Sequence, residues 1–215
     1  LMAAVAGLRT TEARKAALLR HIWRPRRFRA LLDRFSGRFG APEARSALLG
    51  SDDPMALAGP QIGLRSPDEV SARIRTLRED AAEPPISNTE VSLLSALLAV
   101  RATCTVALKQ LRDIAGNMPA ICLALDGFEA RLAALEAKGV NVETLDFEAS
   151  YGRTSMEYYD GFVFGFHAKD RTDLPPVATG GRYDALTRQL GQGATIPAVG
   201  GVIRPDVVLQ LKGDA

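Results

Sequence analysis

The stretch Val177-Ala178-Thr179-Gly180-Gly181-Arg182-Tyr183-Asp184-Ala185-Leu186-Thr187-Arg188-Gln189-Leu190-Gly191 carries most of the information about fold. Its first three residues suit a short strand, Gly180-Gly181 a turn, and Tyr183 to Leu190 a helix that stops at a glycine. Upstream, Met156 to Phe166 is aromatic and β-branched enough for a strand. Downstream, Ala198 to Ile203 predicts another strand, which runs into a final helix at Pro205. Further back, Val140, Val142, Leu145 and Phe147 recur with a period near two, so the strands begin there.

Before residue 140 the period is helical. Thr11 or Thr10 can cap a helix through Leu19, Pro25 suits a first turn, and Ser66-Pro67-Asp68-Glu69 opens a helix through Leu77. After Pro84-Pro85, Ser87 and Glu90 have capping-box spacing. Val91, Leu94, Leu97, Leu98 and Val106 then sustain one long helix toward Ile114, ended by Gly116-Asn117. A further helix from Pro119 carries Ile121, Leu125, Phe128, Leu132 and Leu135 and stops at Lys138-Gly139. Helices followed by strands that fold back on one another, with one helix between them, predict an α+β fold with an antiparallel sheet. The expected division is a helical segment over residues 1–85 and a sheet with flanking helices over residues 86–215.

With 47% apolar and 24% charged residues, the chain of 215 residues excludes wholesale disorder and can bury a core. Twenty-seven basic against 25 acidic residues leave a net charge of +2, too small a field to imply nucleic acid or a membrane. The dense basic stretch of Arg20, Arg24, Arg26, Arg27, Arg29 and Arg34 reads as the solvated face of helices that turn Leu18, Leu19, Leu31, Leu32 and Phe35 inward. Cys104 and Cys122 lack zinc-site spacing and form no disulfide framework, which fits a reducing cytosol and a cytoplasmic protein. No apolar run reaches the ~20 residues of a membrane span. The chain opens on Leu1 and an apolar segment with no leader pattern, and reads as the C-terminal part of a longer protein. His21 and His167 read as structural or surface residues. No Ser-His-Asp set, Walker loop or metal-ligand cluster is present, so no catalytic residue, cofactor or metal is expected.

Three blocks carry a family resemblance: Ser155 to Phe166 (SMEYYDGFVFGF), Val177 to Gly191, and Ile196 to Ile203 (IPAVGGVI). Tyr158-Tyr159, then Gly180-Gly181-Arg182-Tyr183-Asp184, then Pro197-Ala198-Val199-Gly200 resemble, in order and spacing, the C-terminal part of the class II histidyl-tRNA synthetase catalytic domain. The resemblance implies a class II synthetase-like antiparallel sheet with flanking helices. It also implies a small polar pocket for a histidine-like ligand at Tyr158, Tyr159, Gly180, Gly181, Arg182, Tyr183 and Asp184. The glycines would let backbone approach a ligand, the tyrosines would wall it, and Asp184 would accept from an ammonium or imidazolium while Arg182 holds the helix.

Adenylate formation requires fixed cations around phosphate. The resemblance places Thr154 where the synthetases carry one phosphate-site arginine, with Arg153 one residue off and so directed to the opposite strand face. Their terminal Glu-Arg pair falls on Asp206 and Val207, with Arg204 displaced by three positions. Gly165 stands where the enzymes have an acidic residue. Two missing cations and a missing carboxylate resemble the regulatory-subunit family of short-form ATP phosphoribosyltransferase in histidine biosynthesis. That family implies a non-catalytic role, a dimer of such subunits within a hetero-octamer, a separate catalytic subunit as partner, and histidine as effector. The alternatives are a piece of an active histidyl-tRNA synthetase and a synthetase-like module that binds tRNA or histidine.

Overall fold

The computed structural model describes residues 1–56, 59–60, 62–152, 159–194 and 196–213. Six helices come first: α1 (Met2–Ala6), α2 (Glu12–Arg20), α3 (Pro25–Phe35), α4 (Glu43–Gly50), α5 (Pro67–Ala82) and α6 (Asn88–Ala99). Local chemistry starts most of them. Thr11 accepts from Arg14 N, Pro25 sits in the first turn of α3, and Ser66 and Ser87 close capping boxes with Glu69 and Glu90. Helix α5 runs past its expected end at Leu77. Its last turns are held from outside, because Arg78 Nε donates to Leu49 O at 2.9 Å and Asp80 Oδ1 accepts from Arg14 Nε at 2.8 Å.

The long helix expected from Ser87 to Ile114 is broken. Helix α6 stops at Ala99, β1 (Arg101–Thr103) intervenes, and α7 (Cys104–Ala115) starts afresh. The cause is distant pairing. β1 runs antiparallel to β2 (Asp146–Glu148), with Ala102 opposite Phe147, and Cys104 N donates to Leu145 O at 2.7 Å. A ladder with residues far along the chain therefore overrides a local apolar period that fits a helix. Helix α8 (Cys122–Glu136) follows a 3-10 turn at Pro119–Ile121. The strand expected from Val140 starts late: Val142–Thr144 is a 3-10 turn capped by Asn141, and only Asp146–Glu148 is extended.

The second sheet contains β3 (Val163–Phe166), β4 (Ala178–Arg182) and β5 (Val199–Ile203), antiparallel and in that order. Helix α9 (Asp184–Leu190) connects β4 to β5, and α10 (Pro205–Gly213) follows β5. The class is α+β as expected, with two sheets where one was anticipated. Met156, the expected start of the aromatic strand, lies outside the described residues, and strand geometry begins only at Val163.

The main apolar cluster lies among the helices. Val5, Leu18, Val91 and Leu94 are wholly buried, and the cluster takes residues from both sides of position 85 as far as Val142. The basic stretch is a solvated helix face, with Arg20, Arg24, Arg26, Arg27, Arg29 and Arg34 exposed over buried Leu18, Leu32 and Phe35. Helix α8 links the two sheets. Its Phe128 stacks on Phe147 at 5.0 Å between ring centroids, and its Arg131 guanidinium lies 4.2 Å from the Phe162 ring centroid.

Candidate functional site

The register of the second sheet sorts its side chains. Val163, Gly181 and Gly200 lie opposite one another, as do Phe164, Gly180 and Gly201, and Gly165, Thr179 and Val202. Directly opposed residues share a face and neighbours along a strand alternate, so one face carries Phe164 and Phe166 and the other carries Gly165, Gly181 and Gly200.

On that second face each of the three glycines lies beneath a tyrosine. A Cβ at Gly181 would stand 2.8 Å from Tyr159 Cγ and Cδ1, one at Gly200 3.1 Å from Tyr183 Oη, and one at Gly165 2.8 Å from Tyr151 Cζ. Side chains at these positions would expel the rings, which is why the strands have glycine there. The Tyr159 and Tyr183 rings sit 6.2 Å apart and tilted by 52°. On the opposite face, Phe164 occupies the room over Gly180, its Cε1 2.8 Å from where a Cβ would be.

The expected Gly-Gly turn is therefore corrected. Gly180 and Gly181 are buried inside β4, which continues through Arg182, and α9 begins only at Asp184. The room above both glycines is filled by Phe164 and Tyr159 rather than left open. Sequence alone cannot separate a glycine that admits a ligand from one that admits the chain's own ring, because both need the Cβ to be missing.

Asp184 is already engaged. Its Oδ1 accepts from Ala198 N at 2.9 Å and its Oδ2 from Arg182 Nε at 2.7 Å, so it ties the start of α9 to β5. The Ala198 amide first and the Arg182 guanidinium second hold its carboxyl below the usual range. Arg182 is about half exposed, so its hold on the helix is a surface clamp. Tyr159, Gly181, Tyr183, Asp184 and Arg182 thus come together around the β4–α9 junction. Tyr158, Thr154 and Arg153 lie outside the described residues.

Two residues of this face escaped the sequence reading. Asp160 accepts from Asp184 N at 3.0 Å and from Ala185 N, capping α9 from a separate loop. It stands beside Tyr159 in sequence, but the helix it caps is distant, so no local pattern marks it. Tyr151 lies over Gly165 with its hydroxyl 3.3 Å from His167 Nε2. The acidic side chain that the resemblance places at position 165 is thus replaced by a phenol from another segment.

Val207, which the resemblance places where the synthetases carry their terminal phosphate-site arginine, is wholly buried. A hollow of about 360 Å³ lies along Phe166, Ala178 and Ile203 and is lined by no charged side chain. Among the described residues no three His, Cys, Asp or Glu side chains group to hold a metal, and no helix is long and apolar enough to cross a membrane.

An antiparallel β3-β4-β5 sheet with the Gly-Gly-Arg-Tyr-Asp block entering a helix defines a class II synthetase-like protein. A family model described as "Histidyl-tRNA synthetase" matches residues 71–208, and the chain belongs to that family. Within it, the chain is 38% identical over 139 residues to the ATP phosphoribosyltransferase regulatory subunit of Allorhizobium ampelinum, covering 63% of this chain and 36% of that protein. It is 31% identical over 186 residues to the proteins of the same name from Brucella ovis and Brucella abortus, covering 80% of this chain and 49% and 48% of theirs. The chain thus spans about half the length, or less, of these curated relatives. No solved structure matches it.

Proposed function

We propose that this chain belongs to a non-catalytic, cytoplasmic regulatory subunit of ATP phosphoribosyltransferase, which activates a separate catalytic subunit of histidine biosynthesis and relays feedback by histidine. Its relatives' names support the role. The observation that carries the non-catalytic part is Val207, an enclosed aliphatic side chain where adenylation needs a guanidinium on phosphate. A buried valine cannot be exchanged for that cation by a rotamer change, so the site lacks the largest electrostatic contribution to the chemistry.

In this reading the subunit pairs with a second copy and with catalytic subunits in a hetero-octamer. Histidine is read by the residues that the resemblance names: Tyr158, Tyr159, Gly180, Gly181, Arg182, Tyr183 and Asp184. The effector acts by binding one state of the assembly more tightly than the other. Because Tyr159 rests on Gly181 and Asp184, at the start of α9, holds the Ala198 amide, ligand entry shifts a ring or loosens the clamp, and either movement reaches β5.

The test is reconstitution. Full-length protein is mixed with a short-form catalytic phosphoribosyltransferase, and product formation from ATP and phosphoribosyl pyrophosphate is followed with and without histidine. Activation that histidine then suppresses is expected; no activation at any subunit ratio overturns the proposal. The family model's own description favours the second reading, an active synthetase. Histidine-dependent pyrophosphate exchange by the full-length protein would establish that instead.

A further inference from the structure

We infer that Arg204 forms an oxyanion subsite on the tyrosine face of the sheet, the face that also carries the Tyr151 hydroxyl, and receives the carboxylate of the small ligand read there. The inference deepens the histidine-pocket reading and rests on it.

The strand register puts Arg204 in place. Its N donates to Val177 O at 2.8 Å, so the β4–β5 ladder continues one residue past Ile203 and sets Arg204 opposite Val177. By alternation Arg204 shares a face with Val202 and Thr179, the face that bears the three tyrosines, and His167 Nε2 lies on it 3.2 Å from where a Gly165 Cβ would be.

The Arg204 guanidinium is half-buried and held at one end. Nη1 donates to Pro176 O at 2.9 Å and reaches Thr179 Oγ1 at 3.5 Å, both neutral. Among the described residues no carboxylate pairs with it, whereas Arg171 and Arg182 each hold an aspartate. A guanidinium has five donors in a planar fork matched to the two oxygens of a carboxylate, so its second edge is set to bind one. Anchoring to backbone also fixes its direction before any ligand arrives, which lowers the entropy lost on binding.

Tyr151 supplies a neutral donor on the same face. Its hydroxyl sits over Gly165 and 3.3 Å from His167 Nε2. Burial pushes the phenol up against the opposing pull of the Arg204 charge, so the phenol keeps its proton at neutral pH. Glu148, the carboxylate that also bears on this phenol, is engaged by Ser150 Oγ at 2.7 Å and by Arg101 Nε at 3.7 Å. The Gly165 substitution makes room for Tyr151, and a cation near it stands at a different position from those of the synthetases. The face is thus altered for a small carboxylate and not for a triphosphate.

The test titrates full-length wild-type protein, in complex with its catalytic subunit, with L-histidine, with histamine, which lacks the carboxylate, and with inorganic phosphate. Histidine should bind at least about tenfold more tightly than histamine, in line with one charge-assisted pair. Arg204→Gln should abolish that preference, and Arg204→Lys should restore part of it. Tyr151→Phe, which removes only the hydroxyl, should weaken histidine several-fold and serves if Arg204→Gln does not fold. An unchanged histidine-to-histamine ratio in folded Arg204→Gln, or in Tyr151→Phe if that is the only folded variant, overturns the subsite. If wild type binds neither amine, the histidine reading fails and phosphate decides the subsite alone. A phosphate-induced shift of the Arg204 side-chain NMR signals supports it, and no shift overturns it.

Discussion

The Tyr159 ring lies on Gly181, its Cγ and Cδ1 2.8 Å from where a Cβ would be, while Phe162 O closes the same space at 2.6 Å. Backbone cannot yield as a flexible side chain can. Gly181→Ala is therefore expected to destabilise by ~1–3 kcal/mol, an overpacking penalty that lowers Tm by ~2–12 °C in a chain of this size. Gly165→Ala meets the free end of Tyr151 and should cost less than ~1 kcal/mol, with Tyr151 displaced. Differential scanning calorimetry of the two variants checks the order; equal losses would mean that Tyr151 is as firmly held as the Phe162 backbone.

Arg14 is 6% exposed and joins α2 to the end of α5. It donates to Asp80 Oδ1 at 2.8 Å, to Pro84 O at 2.8 Å and to Asp80 O, and its guanidinium lies 5.2 Å from the Phe35 ring centroid. Arg14→Met keeps the stem and removes the charge, leaving Asp80 with Arg34 at 2.9 Å and Arg45 at 3.8 Å, and carbonyl oxygens without donors. A loss at or below the ~3–5 kcal/mol of a broken buried pair is expected, because Asp80 retains some solvent. Denaturant unfolding monitored by circular dichroism measures it, and a loss under ~0.5 kcal/mol would show that water replaces the guanidinium freely.

Burial alone would raise the Asp80 carboxyl, but hydrogen bonds and charge from Arg14 and Arg34 outweigh it and hold the group below its ordinary value of 3.8. A carboxyl depressed in the folded state binds fewer protons there than in the unfolded chain. Its stabilisation is present above the ordinary value and lost as pH falls through the folded one. Unfolding free energy should therefore drop between about pH 4 and more acidic conditions, and the drop should shrink in Asp80→Asn. An identical acid limb in both proteins would assign the effect to other carboxylates.

Pyrophosphate exchange by the full-length protein is expected to match a no-protein control. Thr154→Arg alone should leave it there, since Val207 still offers no second cation and phosphate-holding groups act as a unit. Val207→Arg should lower stability sharply, because the side chain it replaces is wholly enclosed. Exchange above background in wild type would contradict the non-catalytic reading.

The sequence by itself determined the features whose physics is local. Ser66, Ser87, Thr11 and Pro25 marked helix starts because a cap bonds residues within one turn, and the α+β class followed from the change of period. Family membership was legible in Gly180 to Asp184 and its flanking blocks because their spacing survives in the chain. The tertiary structure decided what depended on partners far apart. It broke the expected helix at Arg101–Thr103, where the Asp146–Glu148 ladder pairs with it. It carried β4 through both glycines, because Phe164 and Tyr159 fill the missing Cβ space on opposite faces. It brought Asp160 to the start of α9, and Tyr151 over Gly165 beside His167. A glycine in sequence says only that room is needed; which group takes the room is settled when strands and loops pack.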